Sequence, residues 1–192
     1  YRDERYYDGE RDNGYGGYKY DGRWKDFISV LEKEYGLNEK SSYLQLGCEK
    51  GFLMHDIKEK YPDAKVKGLE MSQYPIDHAM PSIKDDIIFG TFEKLPFLDN
   101  EFDIVIAIGV IYTLTLRDCI SCLKEIQRVG KGKSYITIGA YRTEEEKELW
   151  EMWTLLGTTH LHVDEWLEVF KVTGYTGDYF FTTAESLHLV KE

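Results

Sequence analysis

From residue 24 onward the chain alternates between two hydrophobic periods. Trp24, Phe27, Ile28, Leu31 and Tyr35 recur at helical spacing, and Gly36 can end that helix. The apolar runs then shorten. Residues 43–46 predict a strand ending at Gly47, and Phe52, Leu53, Ile57 and Tyr61 mark a helix face closed by Pro62. Residues 66–69 predict a second strand ending at Glu70, residues 75–79 a short helix, and residues 87–89 a third strand. Residues 102–108 are nearly all apolar, which predicts a fourth strand buried on both faces. A helix carrying Ile120, Leu123 and Ile126 and a fifth strand at residues 135–140 follow. Thr143 with Glu146 reads as a capping box opening a helix with Leu149, Trp153 and Leu156. Trp166, Leu167 and Phe170 mark a further helix ended by Gly174, and residues 179–182 and 187–190 read as a final strand pair.

Strands alternating with helices predict an α/β fold, a mainly parallel sheet covered on both faces. Ligands of such sheets bind beyond the carboxyl ends of the strands, where the strand order reverses. Residues 1–22 differ from this pattern. They are rich in Tyr, Gly, Asp and Arg, with six tyrosines, and cannot build a core of their own. They read either as a flexible arm or as an arm that folds over a ligand, leaving residues 23–192 as one domain.

Composition narrows the class. The chain has 192 residues, 42% hydrophobic and 31% charged, which suits one domain with a real core. Its net charge of −11 argues against a phosphate backbone as main partner, and no apolar run is long enough to cross a bilayer. Cys48, Cys119 and Cys122 form no paired framework, so a reduced, cytoplasmic setting is expected. Cys119 and Cys122 fall on the apolar side of their helix and read as core residues. The chain opens on Tyr1, so the natural start is expected to lie upstream.

The chemistry is expected at the exit of the first strand, Leu44-Gln45-Leu46-Gly47-Cys48-Glu49-Lys50-Gly51. Gly47 permits a sharp turn and close backbone approach, and Gly51 stands where the next helix begins. Glu70, at the end of the second strand, can accept hydrogen bonds from the two hydroxyls of a ribose. Downstream, residues 90–97 read Gly-Thr-Phe-Glu-Lys-Leu-Pro-Phe, and residues 100–105 read Asn-Glu-Phe-Asp-Ile-Val.

On these motifs residues 43–129 resemble the core of the class I S-adenosylmethionine-dependent methyltransferases. Segments outside the core, residues 17–24, 140–143, 163–166 and 174–178, resemble small bacterial methyltransferases found among genes for surface polysaccharide or modified sugars. The resemblance implies a Rossmann-like, doubly wound, mostly parallel sheet with an antiparallel C-terminal strand. It implies S-adenosylmethionine as cofactor, methyl transfer as activity and a small-molecule acceptor, here a hydroxyl of a sugar or related metabolite. It further implies that Gly47, Cys48, Glu49 and Gly51 underlie the methionine part, and that Glu70 holds the ribose. Met71, Thr91 and Phe92 would border the adenine, and Ile108 and Gly109 would lie near the sulfonium. From the arm, Tyr18, Tyr20 and Arg23 would close over the cofactor, Arg23 pairing with its carboxylate.

Three positions depart from the family pattern. Gln45 stands for a usual acid, Glu49 for a frequent glycine, and Thr91 for a frequent aspartate. Methyl transfer needs alignment and, for a hydroxyl acceptor, a general base. Tyr112 is a candidate beside the fourth strand, or else a packing aromatic. Arg142, leaving the fifth strand, could hold an anionic substrate group or be a solvated helix-start residue. His160 and His162 could act as bases or be packed histidines; no nearby ligand set completes a metal site, and no metal is expected. A non-catalytic relative that keeps the fold and binds a ligand or partner is the alternative. A nicotinamide-dependent oxidoreductase is a further one, although Glu49 and Phe52 break the expected Gly-x-Gly-x-x-Gly.

Overall fold

The computed structural model describes residues 2–10, 12–14 and 18–190. Residues 15–17 of the Tyr/Gly-rich stretch lie outside the described residues. The strands are β1 (Ser42–Leu46), β2 (Lys65–Glu70), β3 (Ile87–Phe89), β4 (Ile104–Ile108), β5 (Ser134–Tyr141), β6 (Leu161–His162) and β7 (Asp178–Thr182). The α-helices are α1 (Glu4–Tyr7), α2 (Trp24–Tyr35), α3 (Phe52–Lys60), α4 (Gln73–Asp77), α5 (Leu116–Val129), α6 (Glu144–Trp153) and α7 (Val163–Thr173). The sheet runs β3-β2-β1-β4-β5, and both β6 and β7 pair with β5. The order reverses between β1 and β4, which lie in register from Tyr43 opposite Ile104 to Leu46 opposite Ala107.

The period of two in β1 and β4 explains why both faces carry helices. Leu44, Leu46, Val105 and Ala107 enter one apolar cluster with α5 residues, Trp150 and Trp166. Tyr43, Ile104 and Ile106 point the other way, into a second cluster with Ile28 and Leu31 of α2 and Leu53 and Ile57 of α3. Successive side chains leave a strand on opposite faces, so a strand apolar throughout must be covered twice. Cys119 and Cys122 lie fully buried in the first cluster, and burial pushes the Cys119 thiol up to about 11 and the Cys122 thiol higher still.

The C-terminal region departs from expectation. The strand expected to be antiparallel, β7, runs parallel to β5, from Tyr135 opposite Asp178 to Gly139 opposite Thr182. It arrives from the crossover helix α7, and a crossover returns the chain in the parallel sense where a hairpin would reverse it. Residues 187–190 form no strand. Thr183 and Ser186 exchange hydrogen bonds, and the Leu187 N–H donates to the Thr183 carbonyl, so the chain curls into a turn.

The expected capping box at Thr143 is half formed. Thr143 accepts from the Glu146 N–H, but the Glu146 carboxylate accepts from the Arg142 N–H, one residue before the cap. Leu156 lies beyond the end of α6. The reciprocal box occurs instead at α7, between His162 and Glu165.

Two glycines separate conformation from crowding. Gly36 and Gly47 have nearly equal positive φ, 65° and 64°. A Cβ on Gly36 would meet nothing within 4 Å, whereas on Gly47 it would fall 2.1 Å from Cγ1 of Val110. Gly36→Ala is expected to cost ~1–2 kcal/mol in denaturant unfolding, the left-handed penalty alone. Gly47→Ala should cost a further ~1–3 kcal/mol from overpacking. Equal losses would show that Val110 yields freely.

Candidate functional site

The loop after β1 is held in shape by one carboxylate. Gly47 turns the chain out of the strand at φ 64°, Glu49 follows at φ 52°, and Gly51 starts α3 at φ 75°. A positive φ is unfavourable for a residue with a Cβ and needs outside support. Glu70 provides it. Its Oε2 accepts from the Glu49 N–H at 3.0 Å, and its Oε1 accepts from the Met71 and Ser72 N–H groups at 2.8 and 2.9 Å. Glu70 is fully buried. Burial pushes its carboxyl above the ordinary range, against the nearby Arg2 charge and the three backbone donors.

The N-terminal arm lies over this loop. The Lys50 ammonium donates to both carboxylate oxygens of Asp8, at 2.5 and 2.7 Å, and to the Tyr18 carbonyl. The Tyr74 hydroxyl donates to Asp8 at 2.7 Å, and the Tyr7 ring stacks on Tyr74. Burial works against the Asp8 carboxylate, but Lys50 and Tyr74 outweigh it and hold its pKa below the ordinary value. Tyr18 stacks on Phe52 at 5.0 Å, and Arg2 donates to Thr113 Oγ1 at 2.7 Å. Tyr6 and Tyr7 are buried, so this part of the arm packs as a short helix rather than standing free.

Between arm and sheet lies a cavity of about 370 Å³ at the carboxyl ends of β1 and β4. Gln45, Gly47 and Glu49 line it from the β1 side, and Ile108, Gly109 and Tyr112 from the β4 side. Arg2, Tyr6, Tyr18, Lys19 and Arg23 line it from the arm, with Trp24 and Trp153 completing the wall. Gln45 is buried, and its Oε1 has no hydrogen-bond partner among the described residues. Glu49 is half-buried and accepts a hydrogen bond from the Tyr18 side chain. Burial lifts the Glu49 carboxyl to about 7 in spite of that bond.

Of the residues expected at a cofactor site, the cavity gathers Gly47, Glu49, Ile108, Gly109, Tyr18 and Arg23. The Arg23 guanidinium is already paired with Asp21 at 2.6 Å. Cys48 turns into the core cluster beside α3, Gly51 packs on Ile83, and Phe92 is buried in the other cluster. Glu70 and Met71 lie behind the loop, and Thr91 is exposed. Tyr20 leaves the cavity altogether, donating to Asp56 at 2.6 Å.

Of the candidate catalytic residues, Tyr112 alone lines the cavity, its ring edge-on to Trp150 at 5.3 Å. The Arg142 side chain contacts Thr183 and Glu185 at the surface. His162 caps α7 through Nδ1 and donates from Nε2 to the Arg142 carbonyl. His160 lies beside Glu151. None of these three lines the cavity. Arg2, Lys19 and Trp153 were not foreseen; nothing in the spacing of the arm indicates which of its side chains turn inward.

Comparison with known proteins bears on the family and the fold. A family described as a methyltransferase domain matches residues 37–174, more than half of the chain. Malonyl-[acyl-carrier protein] O-methyltransferase of Legionella pneumophila is 24% identical over 156 residues, covering 74% of this chain and 54% of the relative. Cycloartenol-C-24-methyltransferase 1 of Oryza sativa is 34% identical over 108 residues, covering 53% of this chain and 30% of the relative. The chain thus spans about a third to a half of the length of these curated relatives. The YcgJ protein of Bacillus subtilis superposes with a TM-score of 0.61 at 18% identity, covering 76% of this chain and 66% of that one, a likeness of fold. The sheet order, the cavity at its switch point and the matched residues together make this chain a member of the methyltransferase-domain family, the class I proteins whose methyl donor is S-adenosylmethionine.

Proposed function

We propose that this chain transfers the methyl group of S-adenosylmethionine to a small-molecule acceptor, with a hydroxyl of a sugar or related metabolite as the favoured class. The observation that carries the reading is the roofed cavity at the β1–β4 switch point in a chain of this family. Its volume lies in the range of small-molecule sites. The net charge of −11 works against a polyanionic acceptor. Among the described residues no helix is long and apolar enough to cross a membrane.

The residues fit the amino-acid end of the cofactor. Gln45 Oε1 and the Glu49 carboxylate are acceptors for an ammonium, and Arg2 and Lys19 are cations for a carboxylate, all on one cavity. The nucleoside end is expected to use Glu70, Met71, Thr91 and Phe92, which lie outside the cavity. The arm reaches over that region where Asp8 and Tyr7 meet Tyr74 of α4. We therefore read residues 1–22 as a lid that opens for the cofactor.

When bound, S-adenosylmethionine supplies a methyl carbon already activated for in-line displacement. The protein then contributes alignment and exclusion of water. In this reading Tyr112, which lines the cavity and meets Trp150 edge-on, orients the acceptor from the β4 side. Trp153 and Tyr6 close the cavity around it.

Calorimetry is expected to give saturable binding of S-adenosylmethionine and S-adenosylhomocysteine and none of NAD. Glu70→Gln, with its fold retained, should weaken both by at least about tenfold, the loss of one charge-assisted pair. Binding of NAD alone would overturn the cofactor assignment. Lys50→Ala removes the clamp on Asp8, so limited proteolysis should cut residues 2–14 sooner and stopped-flow should show faster cofactor release. Unchanged release would remove the lid role. Methyl-labelled cofactor should pass label to hydroxylated metabolites and nucleotide sugars rather than to tRNA or acyl-carrier protein. Tyr112→Phe should lower kcat for the labelled acceptor by about 10- to 100-fold. Label in a macromolecule would overturn the acceptor class.

A further inference from the structure

Away from the cavity, chemistry-bearing side chains gather a second time, on α3. Among the described residues, His55, Asp56 and Glu59 each offer a nitrogen or oxygen atom within 4.8 Å of the others. His55 and Glu59 stand four apart and so share one face of the helix, with Asp56 beside them. None of the three lines the cavity at the β1–β4 switch point. Asp56 and Glu59 instead line an open cleft between α2 and α3, with Lys25, Asp26 and Lys60.

The state of Asp56 points to a ligand. Its side chain is only 1% exposed and sits inside a helix. Its Oδ1 accepts from the Tyr20 hydroxyl at 2.6 Å, and its Oδ2 is buried with no hydrogen-bond partner among the described residues. A buried carboxylate oxygen without a donor or a cation is costly, and such atoms are rare in native proteins. The ammonium groups of the cleft are engaged elsewhere. Lys25 pairs with Glu59 at 2.7 Å, and Lys60 pairs with Glu32 of α2.

His55 is oriented as a metal-binding imidazole would be. Its Nδ1 lies 2.6 Å from Ser82 Oγ, and in the tautomer that donates there the Nε2 lone pair is left for a cation. A tetrahedral zinc holds its donors about 3.4 Å apart, so the cluster closes around it by roughly 1 Å. Glu59 is exposed and supplies that movement. Its partner Lys25 is also more than half exposed, and surface pairs of this kind are weak enough to exchange.

We infer that His55, Asp56 and Glu59 form a site for a divalent cation of the zinc class, with solvent in the fourth position. One imidazole and two carboxylates suit zinc or cobalt, whereas magnesium and calcium favour oxygen alone. The site lies where the arm joins α3, since Tyr20 bonds Asp56 and meets His55 and Phe52 with its ring edge-on. The thiols are poor competitors for the metal. Cys48, Cys119 and Cys122 are buried, and burial raises the pKa of each. The expectation of no metal turns on His160 and His162, which lie elsewhere, beside Glu151 of α6 and at the start of α7.

The test is calorimetry of the full, untagged chain with zinc chloride at neutral pH. One zinc should bind saturably, and a large excess of magnesium should not displace it. His55→Gln and Glu59→Gln, neither at a buried position, should each weaken binding by at least about tenfold, since even groups that only support a metal ligand carry that much affinity. Lys25→Gln should tighten binding severalfold by freeing Glu59, an effect that misfolding does not imitate. With cobalt in place of zinc, visible bands should appear without a thiolate charge-transfer band, and His55→Gln should alter them. Absence of zinc binding, or binding unmoved by His55→Gln and Glu59→Gln, overturns the inference. So does a thiolate band or displacement by magnesium. None of these readouts involves S-adenosylmethionine, so the functional reading stands or falls separately.

Discussion

The buried Glu70 carboxylate is the interaction on which the site depends. It closes the carboxyl ends of β1 and β2 by accepting N–H groups from Glu49, Met71 and Ser72. Charge-assisted bonds to backbone donors are strong, and here they replace the water that a buried carboxylate has lost. With that anchor the chain holds Glu49 in a left-handed conformation and starts α3 one turn later. Without it three partly buried N–H groups would lose their acceptor, and the loop that walls the cavity would lose its shape. Glu70 thus organises the loop, whatever further bond it makes to a ligand.

The sheet supplies the rigidity behind that anchor. β1 and β4 are buried on both faces and contribute alternate side chains to two separate clusters. Their carboxyl ends cannot shift without disturbing both clusters, so Gln45 and Ile108 face the cavity from fixed positions. Crowding adds to this: Gly47 faces Val110 and Gly51 faces Ile83 at distances no Cβ could occupy. The expectation that Gly47 admits a ligand to the backbone is accordingly only part of its role, since a neighbouring side chain already fills the space over its Cα.

The arm joins local disorder of pattern to tertiary order. Its composition gives no amphipathic period, yet Tyr6 and Tyr7 are buried and Asp8 is locked to Lys50 and Tyr74. Its order comes from long-range contacts with the loop after β1 and with α4, which no local rule encodes. The same contacts put Arg2 beside two carboxylates in a chain with an excess of acid. The site is thereby cationic and anionic by turns, suited to a zwitterion rather than to a polyanion.

The sequence by itself determined the main helices and strands from Trp24 to Gly174, apart from the two-residue β6, and through its motifs the resemblance that carried the doubly wound class and the family. Local periodicity, caps such as Gly36 and Gly174, and the Gly47-to-Gly51 loop with Glu70 are all short-range signals. Only the tertiary structure decided the sense of β7, because direction follows from the crossover through α7 and not from the strand's own residues. It also decided which candidates meet. Tyr112 and Glu49 reach the cavity, whereas Arg142, His160 and His162 serve caps and surface contacts around α6 and α7. Proximity along the chain to a strand exit gave them the same standing in the sequence. The direction in which each side chain leaves the backbone, and what it meets there, is set by packing across the whole fold.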